Sequence, residues 1–516
     1  MFNFDYIGGI IVNIKDNLLK ICCANACFTI DFHCIQCDFE KYIDSIKDLV
    51  AYSFEEMDAL ENGAIANPDE QRMVGHYWLR DTSVAPTEWI TWQIDSSLLQ
   101  ITDFTEKIHT GEILSSSGTK FRNLIVAGIG GSQLGFQFIA DAMKNMEYKM
   151  TPYTIDNNDP DGIELILRKI NDQLSETLVI FISKSGSTIE IRNMILELQV
   201  AFNAKKIPFE KHFIAVTMQG SPMEKVAREE NWLNVFPTWD WVGGRVSVFS
   251  SVGLLPLALL GISINDLLFG AREMDKITRN KTVINNPAML LSVAWKYFKE
   301  ERKITTMVTL PYKDRLSFFS RYLQQLVMES LGKNKTRQGE KTCTGLTVYG
   351  NKGSTDQHAY VQQLREGICD FFTLFLLVKK DRDNIAPIVN HSTITTGDYL
   401  WAFCLGTQKA LFEKNRESIL LTMDKISPTV IGALIALFER AVGFYAYMLN
   451  VNAYNQPGVE AGKICAEDII SLQEKINIFL SQKKYIELTV EEIAQSIGSD
   501  DLRLVSYLVE HYRANH

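Results

Sequence analysis

The 516-residue sequence has few prolines (13), few histidines (8) and no block of basic residues, and each shortage narrows what the chain can do. Thirteen prolines beside 46% hydrophobic and 22% charged residues exclude a proline-rich disordered or fibrous chain. Lysines and arginines are scattered; the short run Lys333-Asn334-Lys335 has only Arg337 and Lys341 near it. With a formal net charge of −10, the chain would repel a nucleic-acid backbone, so no nucleic-acid partner is expected. The start, Met1-Phe2-Asn3-Phe4-Asp5, lacks the basic-then-apolar order of a secretory signal. Long apolar runs are also scarce. Residues 246–260 are too few to span a bilayer, and residues 429–449 carry Glu439 and Arg440 at their centre, which reads as a buried core helix. The expectation is a cytoplasmic protein with no membrane partner.

Cysteine is the exception to this scarcity. Five of the nine fall together: Cys22, Cys23, Cys27, Cys34 and Cys37, with His33 among them. Cys34-x-x-Cys37 beside His33, with Cys23 and Cys27 as a second pair, has zinc-ligand spacing. The segment lacks the punctuation of a zinc knuckle, however, and Phe28-Thr29-Ile30-Asp31-Phe32 reads as a strand. An odd total fits poorly with a disulfide framework. Free thiols in a reduced compartment, with no metal, are the expectation.

A chain of this length predicts more than one domain. Residues 1–104 read as an N-terminal segment, strand-like to Phe32 and then mainly helical. Residues 105–284 alternate apolar strand-length runs (124–127, 178–182 and 213–217) with helical stretches, the pattern of a parallel sheet in βα units. A second such series fills residues 285–465, with strands expected at 305–310, 346–349, 371–377 and 419–423 and an amphipathic helix at 315–331. Residues 466–516 form a helical tail. Within it, residues 489–498 resemble the start of a helix-turn-helix, read as packing because the surrounding chain is acidic.

Two loops follow expected strands and precede expected helices. Gly128-Ile129-Gly130-Gly131-Ser132-Gln133-Leu134-Gly135 lets the backbone approach an anion, and lacks the third glycine at dinucleotide spacing. Ser183-Lys184-Ser185-Gly186-Ser187-Thr188 sets four hydroxyls and a lysine at a helix N-terminus, more than a simple cap needs. Neighbouring loops of this kind converge on the crevice where open α/β sheets bind ligands. With no Walker pattern present, a sugar phosphate fits better than a nucleotide. Four polar clusters complete the set: Gly243-Gly244-Arg245; Gln325 and Glu329, four residues apart on one helical face; Asp356-Gln357-His358; and residues 456–463, which run from Gln456 to Lys463.

Together these segments resemble the glucose-6-phosphate isomerase family over about residues 73–463, with residues 325–333 and 456–463 its most specific stretches. Residues 73–80 and 356–363 are similar to the branch found in cyanobacteria and plastids. The resemblance implies two tandem flavodoxin-like sugar-isomerase domains, a sugar-phosphate substrate and a homodimer with a shared active site. It further implies reversible isomerisation of glucose 6-phosphate to fructose 6-phosphate through ring opening and a cis-enediolate, without a cofactor. On the matching positions, Glu329 is the isomerisation base, Arg245 the cation beside the enediolate, and His358 and Lys463 the ring-opening pair, with His358 donated across the dimer. Ser183, Lys184, Ser185 and Thr188 match the phosphate loop, Gly130 and Ser132 the first loop, and Gln325 and Gln456 substrate contacts.

The chemistry accounts for these residue types. Ring opening needs an acid and a base, proton transfer needs a carboxylate, and the enediolate needs a fixed cation. The chain departs from the family at its first 50 residues and at Val246 and Phe249, which replace aromatic positions. Two other readings share the same domains: a catalytically inactive sugar-phosphate sensor, and a bifunctional glucose/mannose-6-phosphate isomerase.

Overall fold

A computed structural model of the chain describes residues 10–13, 18–23, 26–382, 389–391, 393–482 and 488–516. The chain packs as two compact units, Met1–Tyr454 and Asn455–His516. The strands of the first unit are β1 (Ile10–Asn13), β2 (Leu18–Cys23), β3 (Ala26–Asp31), β4 (Asn123–Ala127), β5 (Thr151–Ile155), β6 (Thr177–Ile182) and β7 (Phe213–Met218). They continue as β8 (Asn234–Thr238), β9 (Thr306–Pro311), β10 (Thr347–Tyr349), β11 (Phe371–Val378), β12 (Val389–His391), β13 (Ile394–Thr395) and β14 (Ser418–Met423).

Five of these form a wholly parallel sheet in the order β5-β4-β6-β7-β8, the flavodoxin-like arrangement. Its central strands β4 and β6 are buried at every residue, because parallel strands carry helices on both faces. The edge strands β5 and β8 each contain a proline, Pro152 and Pro237, which an edge tolerates because one of its sides is unpaired. The second sheet has seven strands in the order β1-β2-β3-β14-β11-β9-β10. Strands β14, β11, β9 and β10 are parallel, while β1, β2 and β3 are antiparallel additions joined by the β3–β14 pair, Asp31 opposite Leu420 and Phe28 opposite Met423. Strands β12 and β13 make a separate ribbon.

Side-chain alternation divides the core. Leu124 and Val126 of β4, with Phe372, Leu374 and Leu376 of β11, face one shared core. Ile125 and Ala127, and separately Phe371, Phe375 and Leu377, face smaller cores on the outer sides of their sheets. The shared core is built around helix Pro428–Met448, buried at every residue from Val430 to Met448. This is the apolar run expected to be a core helix, and its membrane-length window is 94% buried inside the protein.

Two expectations change. Cys22 and Cys27 are cross-strand partners in the β2–β3 hairpin and are joined as a disulfide, whereas free thiols were expected; Cys34 and Cys37 are free. The pairing arises because the strands place the two residues directly opposite, which spacing along the chain does not reveal. The helix expected at 315–331 is also not uniform. It opens with a 3₁₀ turn at Asp314–Leu316, becomes α-helical at Phe319–Leu323 and widens to a π-helix over Gln324–Glu329. The second unit holds helices Pro457–Ser481, Val490–Ile497 and Leu502–Asn515 around Ile476, Ile493, Val505 and Val509. Its helix at residue 490 begins with a capping box, Thr489 and Glu492 bonding each other's backbone.

A charged cluster sits inside the first unit. Arg80 donates to both oxygens of Asp275, at 3.0 and 3.2 Å, and also bonds Glu439. Arg440 bonds Glu61 and lies 3.3 Å from Asp275, while Arg279 lies 2.8 Å from Glu61. Three carboxylates thus face three guanidinium groups, and the Arg440 guanidinium lies 4.0 Å over the Tyr77 ring. Burial alone would raise the Glu61 carboxyl, but Arg440 and Arg279 hold it below its usual range. A balanced cluster of this kind tolerates burial; the loss of one member does not. Replacing Arg440 with Leu should therefore destabilise the protein by roughly 3–5 kcal/mol. Urea unfolding followed by tryptophan fluorescence measures this, and an unchanged midpoint would refute it.

Candidate active site

The site lies at the carboxyl ends of the parallel strands of the five-stranded sheet. Strands β4 and β6 are adjacent, and the chain order reverses between them, so the loops after each flank the crevice of an open α/β sheet. After β4, Gly130–Ser132 makes a 3₁₀ turn, and the side chain of Gln133 donates back to the carbonyl of Val126 at 2.9 Å, closing the loop onto its strand. After β6, Ser183 Oγ lies 2.9 Å from Thr188 Oγ1 and accepts from the Gly186 amide at 3.1 Å. Ser185 Oγ accepts from the amide of Ser187 at 3.3 Å. The second loop is therefore a hydroxyl-lined turn leading into helix Ile189–Ala204.

Glycine at 131 is required by a close approach. A Cβ there would stand 2.0 Å from the carbonyl oxygen of Gly244, so the first loop rests directly on the Gly243-Gly244-Arg245 turn. Gly130, at φ 57°, lies next to the side-chain amide of Gln325. These contacts join the first loop, the arginine turn and the π-helical segment, which are remote in sequence.

Arg245 is buried at their junction. One terminal nitrogen donates to the carbonyl of Ala453 at 2.9 Å and to Ser330 Oγ at 3.3 Å; the other lies 3.2 Å from Glu329 Oε1. Burial pulls the guanidinium below its usual range, opposed by the adjacent Glu329 carboxylate. Glu329 and Gln325 share one face of the π-helical turn, a distortion that recurs where a helix aims side chains at a site. The result is a carboxylate and a fixed cation in contact, beside two loops suited to an anion.

Other expected residues sit differently. The ammonium of Lys184 donates to the carbonyls of Asp240 and Val242, at 2.7 and 2.8 Å, and so braces the arginine turn. Burial, helped by the nearby Arg72, brings it down to about 8. His358 ends a short turn, Asp356–His358, held by the Asp356 carboxylate, which accepts from the amides of Asn351 (2.8 Å) and Lys352 (3.2 Å) and from the Tyr360 hydroxyl. It is exposed and lines a groove of about 490 Å³ with Gln357, Arg365 and Phe403. In the second unit, Gln456 precedes helix Pro457–Ser481 and Lys463 lies exposed near that helix's start.

Sequence reasoning passed over several residues around Arg245. Ser330 is adjacent to Glu329 in the chain and could have been named for that reason alone. Lys333 is partly buried and brought down to about 8 by desolvation, then by Arg245. The carbonyl of Ala453, like any backbone acceptor, leaves no mark in a sequence.

Residues 40–479 match the family model described as phosphoglucose isomerase. The glucose-6-phosphate isomerase of Geotalea daltonii is 50% identical over 477 residues, 92% of this chain and 90% of that protein. The cyanobacterial enzyme of that name from Trichormus variabilis is 48% identical over the same shares. Among solved structures, a glucose-6-phosphate isomerase from Chlamydia trachomatis superposes with a TM-score of 0.79 at 26% identity, over 87% of this chain and 89% of that one. On this match over residues 40–479 and on relatives about 50% identical across nine-tenths of both chains, this chain belongs to the phosphoglucose isomerase family.

Proposed function

We propose that this protein interconverts glucose 6-phosphate and fructose 6-phosphate, and that the Glu329–Arg245 pair carries the proton transfer. The supporting observation is their geometry: a carboxylate 3.2 Å from a buried guanidinium, on a helix segment packed against a glycine loop. The relatives named above act under the same enzyme name across nine-tenths of their length.

In this reading the phosphate binds at the hydroxyl-lined turn of Ser183, Ser185 and Thr188, while Gly130, Ser132, Gln325 and Gln456 contact the sugar. Lys184 acts by bracing the arginine turn, in keeping with its two carbonyl contacts. The cyclic sugar opens when a proton leaves the anomeric hydroxyl and another reaches the ring oxygen, the work of His358 and Lys463. Glu329 then takes the proton from C2 as the C1 carbonyl becomes an enediolate oxygen, and returns it to C1 as C2 becomes the carbonyl, while the hydroxyl proton passes from O2 to O1. Arg245 faces the negative charge that develops between these steps. Every step uses side chains alone.

His358 is proposed to serve the site of a second copy in a homodimer, because it is exposed and lines a surface groove, whereas Glu329 lies with Arg245 and Gln325 in its own subunit. The wider division into an N-terminal segment, two sugar-isomerase domains and a helical tail belongs to the same proposal, supported by the two sheets with parallel cores. So does a cytoplasmic location, consistent with the one membrane-length apolar helix among the described residues being buried in the core.

An assay coupling glucose 6-phosphate formation from fructose 6-phosphate to its dehydrogenase should record turnover; its absence would overturn the activity. In the same assay, Glu329→Gln should lower kcat on the order of 10²–10⁴-fold with KM changed little. Wild-type turnover in that variant would reject Glu329 as the base. Mixed dimers of Glu329→Gln and His358→Ala subunits, isolated by two tags, should recover about half the wild-type turnover, since one of the two shared sites is then intact. Verified mixed dimers without activity would place His358 in its own subunit's site.

A further inference from the structure

Arg245 is aimed by a carbonyl, and a carbonyl can aim a cation only if its own peptide plane is fixed. The peptide in question joins Ala453 to Tyr454, and its oxygen accepts from Arg245 at 2.9 Å. The two neighbours of Ala453 are tied down. The side-chain amide of Asn452 donates to Asn67 Oδ1 at 3.0 Å and to Asp69 Oδ2 at 2.7 Å, while its oxygen accepts from the backbone amide of Tyr454 at 2.9 Å. The side-chain amide of Asn67 donates in turn to the carbonyl of Tyr454 at 3.4 Å. Asn67 is itself anchored by a two-bond backbone bridge with Arg72, 3.1 Å in each direction. Asn67 and Asn452 are 4% and 7% exposed, so water does not compete freely for these bonds.

We propose that Asn67 and Asn452 are positioning residues for Arg245: a two-amide clamp that fixes residues 452–454 so that the Ala453 carbonyl holds the guanidinium at its working angle. An asparagine suits this task because one side chain offers both a donor and an acceptor. Asn452 uses its oxygen on the following segment and its nitrogen on the 67–69 turn, and so joins two stretches distant in sequence. A neutral acceptor orients Arg245 without cancelling its charge, which remains available to an enediolate. Ser330 and Glu329 hold the guanidinium from the helix, and the clamp holds it from the opposite stretch of chain. Losing the clamp frees the carbonyl to rotate, and a displacement of about 1 Å at a catalytic group is worth up to roughly 100-fold in rate.

This inference rests on the catalytic reading of Arg245, and its test separates the two. Four proteins are compared with fructose 6-phosphate as substrate: wild type, Asn452→Ala, Arg245→Ala and the double variant. Asn452→Ala is expected to lower kcat about tenfold or more with KM within about threefold, since the interaction lost is one made in the transition state. In the Arg245→Ala background the same substitution should change kcat by less than about twofold, because the clamp then has nothing to aim. Equal losses in both backgrounds would mean a general structural role and would overturn the clamp. So would an unaffected kcat in Asn452→Ala beside a crippled Arg245→Ala. An Arg245→Ala variant with normal kcat would instead overturn the role of Arg245, and the clamp with it. Asn67→Ser, which keeps a small polar side chain, should repeat the pattern of Asn452→Ala and carries the test if that variant does not fold.

Discussion

The buried cluster of Glu61, Asp275, Glu439, Arg80, Arg279 and Arg440 is the constraint on which the rest of the first unit depends. Its members come from four distant parts of the chain, and none can lie in the interior alone without a large desolvation cost. The core around helix Pro428–Met448 is therefore assembled with all six present or is left with an unpaired charge. Apolar contacts make the core stable, but they are tolerant of sliding. The guanidinium–carboxylate pairs fix the rotation of that helix against helix Ile264–Thr278 and against the turn that carries Arg80.

A hydroxyl carries that rigidity toward the site. Tyr322 donates to Glu439 Oε1 at 3.2 Å and sits two residues before the π-helical turn that carries Gln325 and Glu329. One end of the proposed catalytic helix is thus tied to the charged cluster, while the other meets Arg245. Preorganisation of this kind matters most where a cation must face charge that exists only briefly, because nothing need move at that moment.

Much of this was legible in the sequence, and the remainder was hidden for identifiable reasons. Strands β4, β6, β7, β9, β11 and β14 stand out as apolar runs because both their faces are buried. The edges β5 and β8 mix polar residues and proline with apolar ones, so no run announces them. The loops at Gly130 and Ser183, and the residues Arg245 and Glu329, carry chemistry that packing does not require, which makes them legible as a set. Their contact was not visible: a glycine touching another loop's backbone is written in no periodicity. Lys184 stands in the expected phosphate loop, and the two carbonyls its ammonium meets, like any backbone acceptor, leave no mark in the sequence. The widening of the helix at Gln324 changes the hydrogen-bond pattern without changing the spacing of apolar residues enough to be noticed.

The antiparallel junction of the second sheet bears on how the molecule is made. Strand β3 ends at Asp31, and its partner β14 begins at Ser418. A ribosome delivers the first strand long before the second exists, so this edge is among the last to close. Until then the flank of β3 that β14 will occupy has no strand to pair with. A nascent chain with an open sheet edge is a candidate for chaperone capture or for pairing with a neighbour on the same messenger. The five-stranded sheet, by contrast, can gather as soon as its βα units, residues 123–238, have emerged.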